Sequence, residues 1–153
     1  ERTRQPFLPE KADALGIPFG PVRGQLVKGE SVTLEDGRVI TPEMVMGDPQ
    51  PGTRLAALGD LGETTSLVDL LQGVDGIVIE STYLEEEAGM AKQFSHLTAR
   101  MAAEFANQVN ARTLLLTHLS RRYRDKDVLA EAQAVFPEAR VAKDFDTYSI
   151  KRE

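Results

Sequence analysis

The sequence predicts an α/β fold with helices layered on a sheet, and three observations carry that expectation. From Thr53 onward, strand-like and helix-like runs alternate: TRLAALG, TSLVDLLQG, DGIVIE, HLTARMAAEFANQVN, RTLLLTH, VLAEAQAVF. Such alternation points to helices packed against a sheet. The cores of DGIVIE and RTLLLTH are short continuous apolar runs, as expected of buried strands. Finally, polar residues stand where three of the strands end, at Gly59-Asp60, Glu80-Ser81-Thr82 and Thr117-His118. In layered α/β folds the carboxyl ends of strands are where sites form.

Residues 1–52 have a different texture, rich in Pro and Gly with short alternating runs. In SVTLEDGRVIT, Val32 and Leu34 alternate with polar neighbours and Asp36-Gly37 supplies a turn before Val39. This reads as a β-hairpin on an extended, non-compact arm. DPQPG, ending at Gly52, punctuates the chain, and residues 53–153 form the α/β part. There TSLVDLLQG is a short helix closed by Gly73. HLTARMAAEFANQVN is amphipathic, with Leu97, Met101, Ala102 and Phe105 on one stripe. ARVAKDF and TYSIK read as the last strands.

A chain of 153 residues is long enough for one ordinary domain with a core. No stretch approaches the run of about 18 apolar residues that a membrane span needs. ERTRQPFLPEKAD lacks the apolar core of a signal peptide. Without cysteines there are neither disulfides nor thiolate metal sites, which fits a reducing cytoplasm. A net charge of −6 argues against sequence-independent binding of nucleic acid, yet RRYRDK beside His118 is a local basic patch able to hold a phosphate.

Each candidate residue has a plain role beside its chemical one. Asp60, at a strand tip, can ligate a cation or cap the helix near Thr64. His118 can be a metal ligand or a satisfied structural imidazole. His96 opens a predicted helix, where it can exchange a proton with a phosphate ester or simply start the helix with Ser95 as cap. Glu80 ends a buried strand and needs a partner, such as a histidine it orients or an arginine. Glu85, Glu86 and Glu87 read as a solvated loop face. With two histidines and no cysteine, the chain cannot comfortably build a binuclear metal site alone.

Taken in order, these residues resemble the C-terminal half of the ribonuclease Z family, tRNA 3′-processing endonucleases of the metallo-β-lactamase superfamily. PEKADALG, with Lys11, is similar to a Pro-x-Lys-x-x-x-Leu-Gly pattern. GIPFGPVRGQL resembles the Gly-Pro motif of a tRNA-clamping arm, at Gly20 and Pro21. LGDL resembles a Gly-Asp-Thr strand end, IESTY a His-Glu-Ala-Thr motif and SHLTA a His-Ser-Thr motif. THLSRRY matches Thr-His-x-Ser-x-Arg-Tyr. Leu61, Ile79, Ser95 and Leu97 depart from the family pattern, standing where it has threonine, often histidine, glycine and serine.

The resemblance implies the C-terminal half of an αββα sandwich preceded by the Gly/Pro-rich arm. It implies Asp60 and His118 as zinc ligands, His96 as the catalytic histidine oriented by Glu80, and Arg122 and Tyr123 as a closing pair near phosphate. Lys11, Gly20 and Pro21 would contact substrate. Two zinc ions per complete site are implied, with further ligands from a His-x-His-x-Asp-His motif in an N-terminal half that is not in this sequence. The implied substrate is precursor tRNA. Separately, a half-domain should expose the sheet face its missing half would cover, so a homodimer is expected. The lack of cysteine and of a membrane-length apolar run points to a cytoplasmic location without membrane association. Two other readings stay open: a phosphodiesterase of the same fold acting on small esters, and a fragment inactive by itself.

Overall fold

The computed structural model describes residues 4–151. The chain divides into two compact units, residues 1–52 and 53–153.

In the first unit, helices α1 (Pro9–Ala14) and α2 (Pro21–Val27) precede a two-stranded antiparallel hairpin, β1 (Val32–Thr33) and β2 (Val39–Ile40). Both helices carry Pro in the first turn, where its missing N–H costs nothing. The hairpin lies where the sequence predicts it, with Gly37 at φ 84° in its turn. The surrounding segment is not extended. Ala12, Ile17, Leu26, Val32, Ile40 and Val45 bury one another in a small core of their own. Six- and seven-residue helices are too short to show the apolar stripe by which a helix is recognised in sequence.

The second unit holds a four-stranded parallel sheet in the order β3-β4-β5-β6, with β3 at Leu55–Ala57, β4 at Gly76–Glu80, β5 at Thr113–Thr117 and β6 at Arg140–Val141. The two central strands are the continuous apolar runs, as expected where both faces are covered. Between the strands lie α3 (Val68–Leu71, after a 3₁₀ turn at Thr65–Leu67), α4 (Ala88–Phe94), α5 (Ala99–Gln108) and α6 (Asp125–Gln133). Helix α5 packs on β4, β5 and α6. Its Ala99, Ala102, Ala103, Phe105 and Ala106 join Ile77, Ile79, Leu114, Leu116, Val128 and Ala132 in the core. Small residues on α5 let it lie close to the sheet.

Two predictions fail here. TYSIK is not a strand; Tyr148 Oη instead donates to the Val141 carbonyl at 3.2 Å, and Ile150 lies against Gly76, where a Cβ would come within 2.8 Å of its Cγ2. The loop before His96 contains α4, which ends at Ser95 in the left-handed conformation (φ 57°). No helix among the described residues is long and apolar enough to cross a membrane.

Candidate active site

The sheet register brings the predicted strand ends together. Glu80 pairs with Thr117 across β4 and β5, and β3 pairs with β4 at Ala57–Val78. The Leu58 N–H continues that alignment by donating to the Val78 carbonyl at 2.8 Å. Asp60, Glu80 and His118 therefore emerge at one edge of the sheet. Apart from Asp75, the buried polar side chains among the described residues gather at this edge: Glu80, Ser81, Thr82 and Thr98.

Glu80 is the hub. Its carboxylate is fully buried and accepts hydrogen bonds from the Leu61 N–H at 3.0 Å, Thr82 Oγ1 at 2.5 Å, the Thr82 N–H at 3.3 Å and His96 Nδ1 at 2.9 Å. Burial pushes this carboxyl up, but the bonds from Thr82, Leu61, His96 and the Leu97 N–H outweigh burial and hold it below its ordinary range. The same bonds fix geometry. Holding the Leu61 amide sets the backbone beside Asp60, and holding His96 Nδ1–H turns that ring's Nε2 outward.

His96 arrives from a different direction. It does not begin a helix: α5 starts at Ala99, and its cap is Thr98, whose Oγ1 accepts from the Met101 N–H at 3.1 Å. Ser95, the predicted cap, closes α4 instead. Tyr83 pins the intervening segment, donating its N–H to the Leu97 carbonyl at 3.1 Å and accepting from the Ala99 N–H at 2.9 Å. The positive potential of a helix end therefore has no direct bearing on His96.

His118 follows β5 with φ 53°, a left-handed conformation that costs a side-chain-bearing residue about 1–2 kcal/mol. Strain of this kind tends to persist where the surroundings over-determine a functional position. Its Nδ1 lies 3.4 Å from Asp60 Oδ1 and 2.9 Å from Thr82 Oγ1. Its ring stands 5.3 Å from that of His96, centroid to centroid.

Asp60, His96 and His118 each offer one ligand atom, and the three atoms lie within 4.8 Å of one another. Two imidazoles and a carboxylate suit a borderline divalent cation such as zinc. The donor set therefore fits such a metal while leaving its coordination incomplete.

The other predicted residues are distributed as follows. Arg122 is exposed, and its guanidinium pairs with Glu87 at 3.1 Å and lies 3.7 Å from Met90 Sδ. Glu87, expected as a solvated loop residue, thus has a specific partner. Tyr123 packs on the core, with its hydroxyl buried. In the first unit Lys11 is exposed on α1, while Gly20 (φ 128°) and Pro21 form the entry to α2. Beside them Phe19 is 88% exposed, with Arg23 stacked 4.2 Å over its ring, a pair that sequence reasoning passed over. Thr82 was also missed as a site residue. The signal was present: it lies two positions beyond Glu80, hence on the same side of an extended chain.

Three of the four departures from the family pattern find a physical explanation, while nothing in the structure explains Ser95, which takes a left-handed φ of 57° at the family's glycine position. Ile79 and Leu97 are buried in the core and Leu61 packs against it, so each supplies apolar contact.

No family model matches the chain. Curated relatives named Ribonuclease Z are 45% identical over 143 residues in Bradyrhizobium diazoefficiens and 41% identical over 154 residues in Brevibacillus brevis. Those alignments cover 94% and 96% of this chain and 48% of each relative, so the chain spans about half their length. Among solved structures, human tRNase Z, short form, is 28% identical with a TM-score of 0.52, covering 74% of this chain and 37% of that one. The metallo-β-lactamase fold protein YhfI from Bacillus subtilis shares the fold at TM-score 0.54 and 24% identity, over 58% of this chain and 36% of that one. The chain belongs to the ribonuclease Z family of metallo-β-lactamase-fold proteins, as its C-terminal half.

Proposed function

We propose that this chain supplies one half of the active site of a zinc-dependent endoribonuclease that hydrolyses a phosphodiester at the 3′ end of precursor tRNA. The observation that carries this reading is the convergence of Asp60, His96 and His118 within 4.8 Å at one sheet edge, in a chain 41–45% identical to curated ribonuclease Z proteins.

In this reading Asp60 and His118 hold metal, and the remaining ligands come from an N-terminal half. When bound, a zinc pair supplies a Lewis acid for the phosphate and lowers the pKa of water. The chain's own residues do the rest. Glu80 accepts from His96 Nδ1, which leaves Nε2 to pass a proton to the departing ester oxygen. The buried Glu80 carboxylate also stabilises the imidazolium whenever that ring is protonated. Arg122 binds phosphate by exchanging its Glu87 partner for phosphate oxygens, a geometry suited to its planar fork, and Tyr123 backs it from the core.

Lys11, Gly20 and Pro21 belong to the tRNA-gripping unit, which holds the RNA body by backbone and shape. Exposed Phe19, braced by Arg23, adds a flat apolar face. The complete enzyme is proposed as a cytoplasmic homodimer. Leu55, 56% exposed on the edge strand β3, is the kind of surface that pairing covers. Alone, the chain is expected to be inactive.

The test is reconstitution. The chain would be co-expressed with an N-terminal half carrying His-x-His-x-Asp-His, loaded with zinc, and assayed on precursor tRNA and on bis(p-nitrophenyl) phosphate. Turnover of the small ester with no cleavage of precursor tRNA would replace the nuclease with a small-ester phosphodiesterase.

A further inference from the structure

We propose that Thr82 is a positioning residue: its hydroxyl locks the His118 ring with the proton on Nδ1, leaving Nε2 as the free ligand nitrogen. This rests on the reading of His118 as a metal ligand and adds the group that makes it a competent one.

The argument is a count of protons. Thr82 Oγ1 has four polar neighbours: Glu80 Oε2 at 2.5 Å, His118 Nδ1 at 2.9 Å, the His118 carbonyl at 3.1 Å and His96 Nδ1 at 3.4 Å. A hydroxyl donates one hydrogen and accepts up to two. Two of these neighbours, the Glu80 carboxylate and the His118 carbonyl, can only accept. The shorter contact, to an ionised carboxylate, takes the hydrogen. Whichever of the two receives it, Thr82 has nothing left to donate to His118. The 2.9 Å contact is then a hydrogen bond only if His118 Nδ1 carries the proton and Thr82 accepts.

The chain of bonds is directional throughout. His118 Nδ1–H donates to Thr82, Thr82 donates to Glu80, and His96 Nδ1–H donates to the other oxygen of Glu80. One buried carboxylate thus sets both imidazoles, His96 directly and His118 through the threonine. Asp60 also lies near His118 Nδ1, but at 3.4 Å and with its side chain 63% exposed, whereas Thr82 is buried. The shorter contact from the more rigid group dominates.

The experiment uses the full chain, whose two histidines make ring signals simple to assign. Long-range ¹H–¹⁵N spectra of the metal-free protein in mildly alkaline buffer report which nitrogen carries the proton. Wild type is expected to show Nδ1–H at both rings. In Thr82→Val, His118 shifts toward the Nε2–H form while His96 stays as it was, and Thr82→Ser restores the wild-type pattern. In the chain reconstituted with its N-terminal half, and with zinc ion as the probe, Thr82→Val should bind roughly 10–100-fold more weakly than wild type and Thr82→Ser about as well.

A wild-type His118 found as Nε2–H overturns the proposal, as does a Thr82→Val protein that keeps Nδ1–H there, since Asp60 would then be the holder. Should Thr82→Val fail to fold, Asp60→Ala decides in its place: Nδ1–H retained at His118 leaves Thr82 as the holder, and its loss overturns the proposal. If the tautomer pattern holds but zinc ion leaves the rings unperturbed even in the chain reconstituted with its N-terminal half, the lock stands and the metal reading falls.

Discussion

The rings of His96 and His118 face each other at 5.3 Å, tilted by 36°, although one follows α4 and the other follows β5. What separates them chemically is what holds each ring. Glu80 touches His96 directly, its carboxylate accepting from Nδ1 at 2.9 Å and fixing which ring nitrogen faces out. His118 meets the Thr82 hydroxyl at 2.9 Å and the exposed Asp60 at 3.4 Å.

That asymmetry predicts different losses. In the reconstituted enzyme, His96→Ala should lower single-turnover cleavage of precursor tRNA by about 10²–10⁴-fold, the usual worth of a positioned general acid. Zinc content should change less than in His118→Ala, which removes the proposed ligand. Equal metal loss in the two variants, measured by elemental analysis, would reassign His96 as a third ligand.

Much of this could be read from residue order. GIVI and LLL announce buried strands because a parallel sheet covered on both faces tolerates nothing else. Asp60, Glu80 and His118 were legible as site candidates because polar side chains at strand tips have no packing reason to be there. The helix α4 was not legible. Its AGMAKQF follows three glutamates, and the serine that ends it adopts a φ of 57° more often met with glycine. Nor was the core of the first unit, since its six buried residues come from two short helices, a hairpin and the turns between them. Thr82 escaped for another reason: which hydrogen a hydroxyl gives away depends on neighbours that only the fold assembles.

Ser95 offers a test of backbone strain. Replacing it with glycine removes the left-handed penalty of about 1–2 kcal/mol but adds entropy to the unfolded chain. The net expectation is a gain of roughly 0.5–1 kcal/mol, seen as a melting temperature a few degrees higher. No rise would mean that side-chain contacts of Ser95 offset the strain.

Gly62 should behave in the opposite way. A Cβ added there would lie 2.9 Å from the Ser95 Cα, a backbone atom that cannot rotate aside. Gly62→Ala is therefore expected to destabilise by about 1–3 kcal/mol, as overpacking does. Since Gly62 follows the Asp60-Leu61 turn, zinc affinity should fall with it. An unchanged denaturation midpoint would show that the turn relaxes freely.

Glu131 ties the starts of two helical segments to α6. Its carboxylate accepts from the Glu85 N–H at 3.0 and 3.1 Å and from the Arg100 N–H at 3.0 Å. These are amide groups that the helices themselves leave unpaired. Glu131→Ala should cost about 1–3 kcal/mol, within the range for hydrogen bonds to a charged group. Hydrogen exchange should quicken first at Glu85 and Arg100. Exchange that quickens uniformly would point to a global effect instead.

The last prediction concerns acid. The Glu80 carboxyl is held below its ordinary value of 4.5 because bonds from Thr82, Leu61 and His96 outweigh its burial. A carboxylate whose pKa is depressed on folding is a source of stability above its unfolded pKa, because there it is ionised in both states and its bonds are intact. As pH falls below 4.5, the unfolded chain takes up the proton first, and the advantage drains away until the folded carboxyl is protonated too. The stability difference between wild type and Glu80→Gln should thus be largest near pH ~7 and shrink on the way to pH ~3. Chemical denaturation across that interval measures it. The comparison of two variants is needed because exposed carboxylates such as Asp127, lowered by their bond to Arg124, lose stability over the same range in both proteins. A difference that stays constant from neutral to acid would mean that the glutamate is held no more tightly folded than unfolded, and the hub role assigned to it would fail.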